Sequence, residues 1–278
     1  MTTPPVPSIS TTLRPVLARG LERLLDLAML AEVDMHLERW AELRSRTGRA
    51  VVVRNGAGTR RIIESPYGEL RVIVPRVRSD PLRSETAWTS RLLPRYRRHL
   101  YLRSSMFEYF WFRGLCSGDP TLAIAAVAES PAIDHAVTLG AHLRPLFAAE
   151  AASMLQDRFD GEPFDGFAFH AMLDKVGRKE SDPEHRHGLL IALGWHDHKE
   201  PRVLAVEAGL PEHEGDWVRL LQGLHERGLR RISQRRLVNS IHPPCWRAII
   251  RIMAGSDIPT MQLQRSQLEQ RLAIKPLH

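Results

Sequence analysis

The chain has 278 residues, 43% hydrophobic and 26% charged. That balance excludes a wholly disordered protein, and at this length roughly three quarters of the unfolded surface can be buried. No apolar run approaches the about 18 residues that a membrane span needs, and MTTPPVPSISTT has neither the basic start nor the apolar stretch of a signal peptide. A cytoplasmic protein with no membrane partner is therefore expected. Cys116 and Cys245 are the only cysteines, which excludes a disulfide framework and a cysteine-rich zinc site; both read as buried thiols.

The net charge of +7 is unevenly placed. Residues 49–103 hold 13 arginines and no lysine against Glu64, Glu69, Asp80 and Glu85, a surplus of nine, so the rest of the chain is net −2. Such a block favours phosphate-rich partners and makes affinity depend on salt, which puts nucleic acid first among the expected partners. The preference for 35 Arg over 4 Lys fits a GC-rich coding habit, but that habit does not explain the clustering.

In chain order, residues 1–12 are rich in Pro, Ser and Thr and are expected to be a disordered lead. Leu17, Leu21, Leu24, Ala28, Met35 and Trp40 recur at near-helical spacing, which predicts one or two amphipathic helices from Leu13 to about Leu43 with a packing or dimerising face. Three β-rich runs follow at 51–54, 60–65 and 70–75, separated by Asn55-Gly56, Gly58 and the turn at 66–68, and they predict a small meander. Arg54, Arg60, Arg61, Arg71, Arg76 and Arg78 lie in or just beyond it and are expected to line a phosphate-facing surface.

The stretch 86–114 mixes basic and aromatic residues and predicts a helix ending at Gly114, with Arg95, Arg97 and Arg98 as further DNA contacts and Phe107, Phe110, Trp111 and Leu115 as core. The start signal at Ser117–Pro120 predicts helices over about 120–129 and 134–157, a spacing compatible with a helix-turn-helix but also with any helical domain. The Gly/Pro/Asp stretch 160–166 reads as a domain boundary. Beyond it come three strands at 167–174, 187–195 and 202–209, a helix at 213–228, a fourth strand near 235–240 and a helix over 244–253. That order predicts an α+β or α/β layer in which an antiparallel meander gains a strand through a helical crossover.

Three other chemistries find little support. His185 and His187 with His196 and His198 form two His-x-His pairs that could meet across a hairpin as metal ligands, but no cysteine accompanies them. RNGAG is too short for a nucleotide-binding phosphate loop, and no serine sits in a nucleophile-elbow setting.

The segments VVVRNGAGTRRIIESPYGELRVIVPRVR, LLPRYRRHL, FRGLCSGD, AMLDKV, HGLLIALGWHDHKEPRVLAVEAG and DWVRLLQGLHERGLR, in this order, resemble the Mutator-type transposases of bacterial insertion sequences. These are ribonuclease-H-like enzymes of the DDE class. The resemblance implies a helical and β-meander DNA-binding region over 49–159, after the helical region 13–48. It further implies an incomplete ribonuclease-H-like mixed-sheet domain over 160–254 and a tail at 255–278. It also implies partners and chemistry: insertion-sequence terminal repeats and target DNA, a homo-oligomer, a nucleoid-associated location, and DNA strand cleavage and transfer with Mg²⁺ or Mn²⁺ held by three carboxylates.

The first carboxylate corresponds to Asp174, expected to be catalytic and a metal ligand, with Lys175 where the family usually has Gly. The second falls on Ile241, followed by His242 where the family has Gly, and the third has no counterpart, since Glu269 lies in no matching motif. The resemblance therefore implies an impaired, apparently truncated transposase, or a non-catalytic DNA-binding remnant that modulates an intact one.

Overall fold

The computed structural model describes residues 11–102, 106–128, 133–159, 164–174, 187–196, 199–229, 232 and 243–253. The chain folds as two compact units, the first running to Met154 and the second beginning at Leu155.

The first unit is built on one long helix, α1, Leu13–Arg39. Leu17, Leu21, Leu24, Leu25, Ala28 and Met29 are fully buried. The helix keeps the expected amphipathic packing face, with Leu17, Leu21, Leu24 and Ala28 buried and Arg19 and Arg23 exposed; the buried arc widens between Leu27 and Val33, and Met35 and Trp40 are only half-buried. It stops at Arg39, short of Leu43, because the chain turns back through Ser45–Gly48, where Ser45 N–H donates to Arg49 O (2.8 Å) and Gly48 N–H to Ser45 O (2.9 Å).

The expected three-run meander is a two-stranded antiparallel ribbon, β1 Val53–Ser65 and β2 Gly68–Arg78. The first two runs share one partner: Arg54 lies opposite Val77 and Arg60 opposite Ile73. Between them the register shifts twice. Gly56, at φ +74°, supplies a left-handed residue that makes an irregularity in one strand, and no chain reversal follows. Ile63, Leu70 and Val72 point into the core, while Ile62 and Ile73 lie on the exposed face. The outer edge of β2 is covered by α1, whose Glu22 and Asp26 carboxylates accept the N–H groups of Arg71 and Ile73.

The expected helix over 86–114 is also corrected. A 3₁₀ turn at Ser84–Thr86 is followed by an irregular segment, and the helix, α2, spans only Phe107–Ser117. Pro94 removes a backbone donor from the middle of the run, and the chain instead runs alongside β1 in a parallel bridge at Glu64 and His99: Glu64 N–H donates to Arg98 O and Leu100 N–H to Glu64 O, both at 2.8 Å. α2 runs past Gly114 and ends at Gly118, which adopts φ +72°. Phe107, Trp111 and Leu115 are buried as expected, whereas Phe110 is half-buried. Trp111 packs edge-on to Phe147 (5.6 Å between centroids). Cys116 is exposed on the last turn of α2, contrary to expectation, and Cys245 is buried.

α3, Thr121–Val127, and α4, Ile133–Gln156, complete this unit. The Asp119 carboxylate accepts from Thr121 N–H (3.0 Å) and Thr121 Oγ1–H (2.6 Å), fixing the start of α3. The turn that a helix-turn-helix would place between α3 and α4 lies outside the described residues.

The second unit contains the antiparallel meander β3 Gly166–Leu173, β4 Gly188–Trp195 and β5 Arg202–Ala208, with Phe169 opposite Ala192 and Ala192 opposite Ala205. β4 is central and buried along nearly its whole length, as an apolar run without alternation requires. Helices α5, Glu214–Glu226, and α6, Pro243–Met253, contribute Trp217, Leu220, Leu221, Leu224, Cys245, Ala248 and Ile249 to one core with Phe167, Phe169, Leu190 and Leu204. The expected fourth strand at 235–240 lies outside the described residues. The described architecture is mixed helix and antiparallel sheet, consistent with an α+β protein.

Candidate nucleic-acid interface

The arginines of the basic block do not form one uniform surface. Arg60 and Arg71 stand exposed on the outer face of the ribbon, directly opposite Ile73 and Ile62 respectively. Arg54 is paired with the Asp34 carboxylate of α1, which offsets its charge. Arg61 turns inward and donates to Pro94 O (3.2 Å) and Arg97 O (2.5 Å), so desolvation lowers its pKa from the usual arginine value. Arg97 in turn donates to His99 O (3.1 Å) and Leu92 O (3.2 Å). Arg61 therefore fastens the irregular segment to β1, and Arg97 ties that segment to itself.

Two adjoining recesses lie between the ribbon and that segment, sharing Arg61 and Arg95. One is lined by Arg61, Ile62, Arg95, Tyr96, Arg97 and Arg98. The other is lined by Arg76, Arg78, Trp88 and Ser90 among others. Six of the nine arginines singled out from the sequence thus meet in one concave region, and among the described residues no acidic side chain lines either recess. With low-dielectric walls on both sides, such a groove focuses positive potential outward.

What holds the segment in place is a residue that composition and spacing do not single out. Glu32 of α1 is only 4% exposed. Its Oε1 accepts the N–H groups of Arg91 (2.9 Å) and Leu92 (3.3 Å) and the Nε2–H of His135 on α4 (2.7 Å). One turn further along, His36 Nε2–H donates to Thr86 O at 3.0 Å. Ser90 Oγ, also buried, accepts Leu93 N–H at 3.0 Å. The available signal was an acid set among Ala28, Met29 and Val33 on a helix with no polar face there, because a buried carboxylate must find donors.

In the second unit, Asp174 directly follows β3, and its N–H donates to His187 O (2.9 Å), closing the β3–β4 pairing. Two-metal strand cleavage needs several acidic oxygens converging on the ions. Among the described residues, no group of three His, Cys, Asp or Glu side chains is placed to hold a metal. The described donor set at Asp174 is therefore one carboxylate and does not fit a complete metal centre; Lys175, Ile241, His242 and Glu269 lie outside the described residues. His187 and His196 flank β4 at opposite ends, about 30 Å apart at the usual strand rise, so they share no ion, while His185 and His198 are outside the described residues. His196 stacks on Phe164 with ring centroids 4.8 Å apart.

Among the described residues no helix is long and apolar enough to cross a membrane. No curated protein matched the chain. The family described as "Transposase, Mutator family" matches residues 8–240, spanning the arginine ribbon, its segment and the β3–β5 sheet. The chain belongs to the Mutator family of transposases.

Proposed function

We propose that this transposase binds the duplex at the ends of an insertion sequence through the arginine-lined groove between the ribbon and residues 88–98. The observation that supports this is the convergence there of Arg61, Arg76, Arg78, Arg95, Arg97 and Arg98 without an acidic neighbour among the described lining residues. Phosphates are spaced along both strands of a duplex, and a concave cationic surface can meet several at once, displacing their condensed counterions. A homo-oligomer bringing two ends together, acting on nucleoid DNA, is part of this reading.

DNA strand cleavage and transfer with Mg²⁺ or Mn²⁺ is the activity that the family reading carries, and Asp174 is the residue it would use. We propose that this activity is impaired in the chain, because Ile241, which stands at the second carboxylate position, has no oxygen to ligate a metal. The same substitution favours a second reading, a DNA-binding protein without cleavage that modulates an intact transposase through mixed oligomers.

Both are tested by incubating the chain and Asp174→Ala with supercoiled plasmid carrying the native flanking DNA and either metal ion, with duplex binding measured in parallel. Binding with little or no nicking is expected. Strong nicking abolished by Asp174→Ala would show that the site is complete, and absence of duplex binding would overturn the groove assignment.

A further inference from the structure

The recess beside β1 carries more than charge. Tyr96 is 86% exposed, with the Arg95 guanidinium 5.8 Å from its ring centroid, and Ile62, 60% exposed, is on the same recess. A single exposed apolar side chain means nothing. Here a ring and an aliphatic side chain line one hollow together with four guanidinium groups. Two of those, on Arg61 and Arg97, are committed to backbone carbonyls, which leaves Arg95 and Arg98 as the exposed cations.

The lining contains no Asn, Gln, Asp or Glu, so neither an amide nor a carboxylate is offered to a base edge. What the hollow does offer is apolar contact and positive charge. Within a duplex, base faces are covered by their neighbours; only an unpaired nucleotide exposes a π-face that can stack on a ring while its phosphate meets a guanidinium.

We propose that this recess accepts an unpaired nucleotide, its base packed against Tyr96 and Ile62 and its phosphate against Arg95 and Arg98. The proposal rests on the DNA-binding reading above and adds the class of ligand: single-stranded or frayed DNA at an end or a nick. Two probes test it, one DNA duplex of fixed sequence with blunt ends and the same duplex with a short thymidine overhang. The overhang is expected to bind about tenfold tighter, a factor that one stacked base supplies.

Tyr96→Ala is expected to erase that preference by weakening the overhang probe about tenfold more than the blunt duplex, and Tyr96→Phe to keep it. The exposure of Tyr96 spares the core in these variants, and circular dichroism checks that they fold. Equal affinity of the unaltered chain for the two probes, or an equal loss on both in Tyr96→Ala, would overturn the proposal while leaving duplex binding intact. Failure of the chain to bind either probe would instead remove the underlying DNA-binding reading, and this one with it.

Discussion

Glu32 anchors the groove although it lines neither arginine recess. Its Oε1 receives three hydrogen bonds, and both backbone donors belong to the segment that ends in Arg95, Arg97 and Arg98. Glu32→Ala strands these donors in the interior and is expected to cost about 3 kcal/mol, read as a lower urea midpoint. DNA affinity is expected to fall as well, because the arginine segment loses its anchor.

Arg61 and Arg76 make the complementary comparison. Arg61→Ala removes two carbonyl contacts and is expected to lose about 1–2 kcal/mol of stability. Arg76→Ala, at an exposed position, is expected to change stability by less than about 0.5 kcal/mol but to weaken DNA binding. In the sequence the two arginines are indistinguishable. What separates them is whether the chain returns a carbonyl to within reach, and for Arg61 that carbonyl lies 33 residues away at Pro94.

At the scale of elements, periodicity is most informative where burial is one-sided or complete. The apolar run of Gly166–Leu173, interrupted only by His170, and the unbroken apolar run of Gly188–Trp195 both lead to the observed strands. It misleads in the basic half. Asn55-Gly56 has the composition of a turn but serves as an irregularity within one strand, since residues on either side pair with the same partner strand. Residues 87–102 have apolar and arginine spacing that suits a helix, yet Pro94 and the tertiary bonds from Glu32, Arg61 and Glu64 outweigh that local tendency.

β3 also carries a testable titration. Burial holds His170 well below its ordinary value, at about 4. Between that value and the ordinary 6.5, the unfolded chain binds a proton that the folded chain refuses. Stability is therefore expected to fall as pH drops from about 6.5 toward 4. Urea midpoints measured across that window should show this slope in the unaltered chain and a smaller one in His170→Phe.

Across the whole molecule, the uneven charge is legible from the sequence, and so is the family, because both depend on residues in order along the chain. The arrangement of the arginines around a concave groove is not, since it arises from the ribbon, α1 and an irregular segment meeting in space. The catalytic question divides the same way: the family resemblance assigns Asp174 and Ile241 to carboxylate positions in the sequence, whereas a set of converging ligands needs a fold, and the described residues contain no such set.

The central claim is that phosphates are bound in the arginine groove. Its most direct test is the salt dependence of duplex binding for the unaltered chain and for Arg76→Ala with Arg78→Ala. Each lost phosphate contact removes close to one counterion, so the double variant is expected to bind more weakly and to flatten the slope of log K against log salt by about two. An unchanged affinity and slope in a folded double variant would contradict the account and move the DNA elsewhere on the protein.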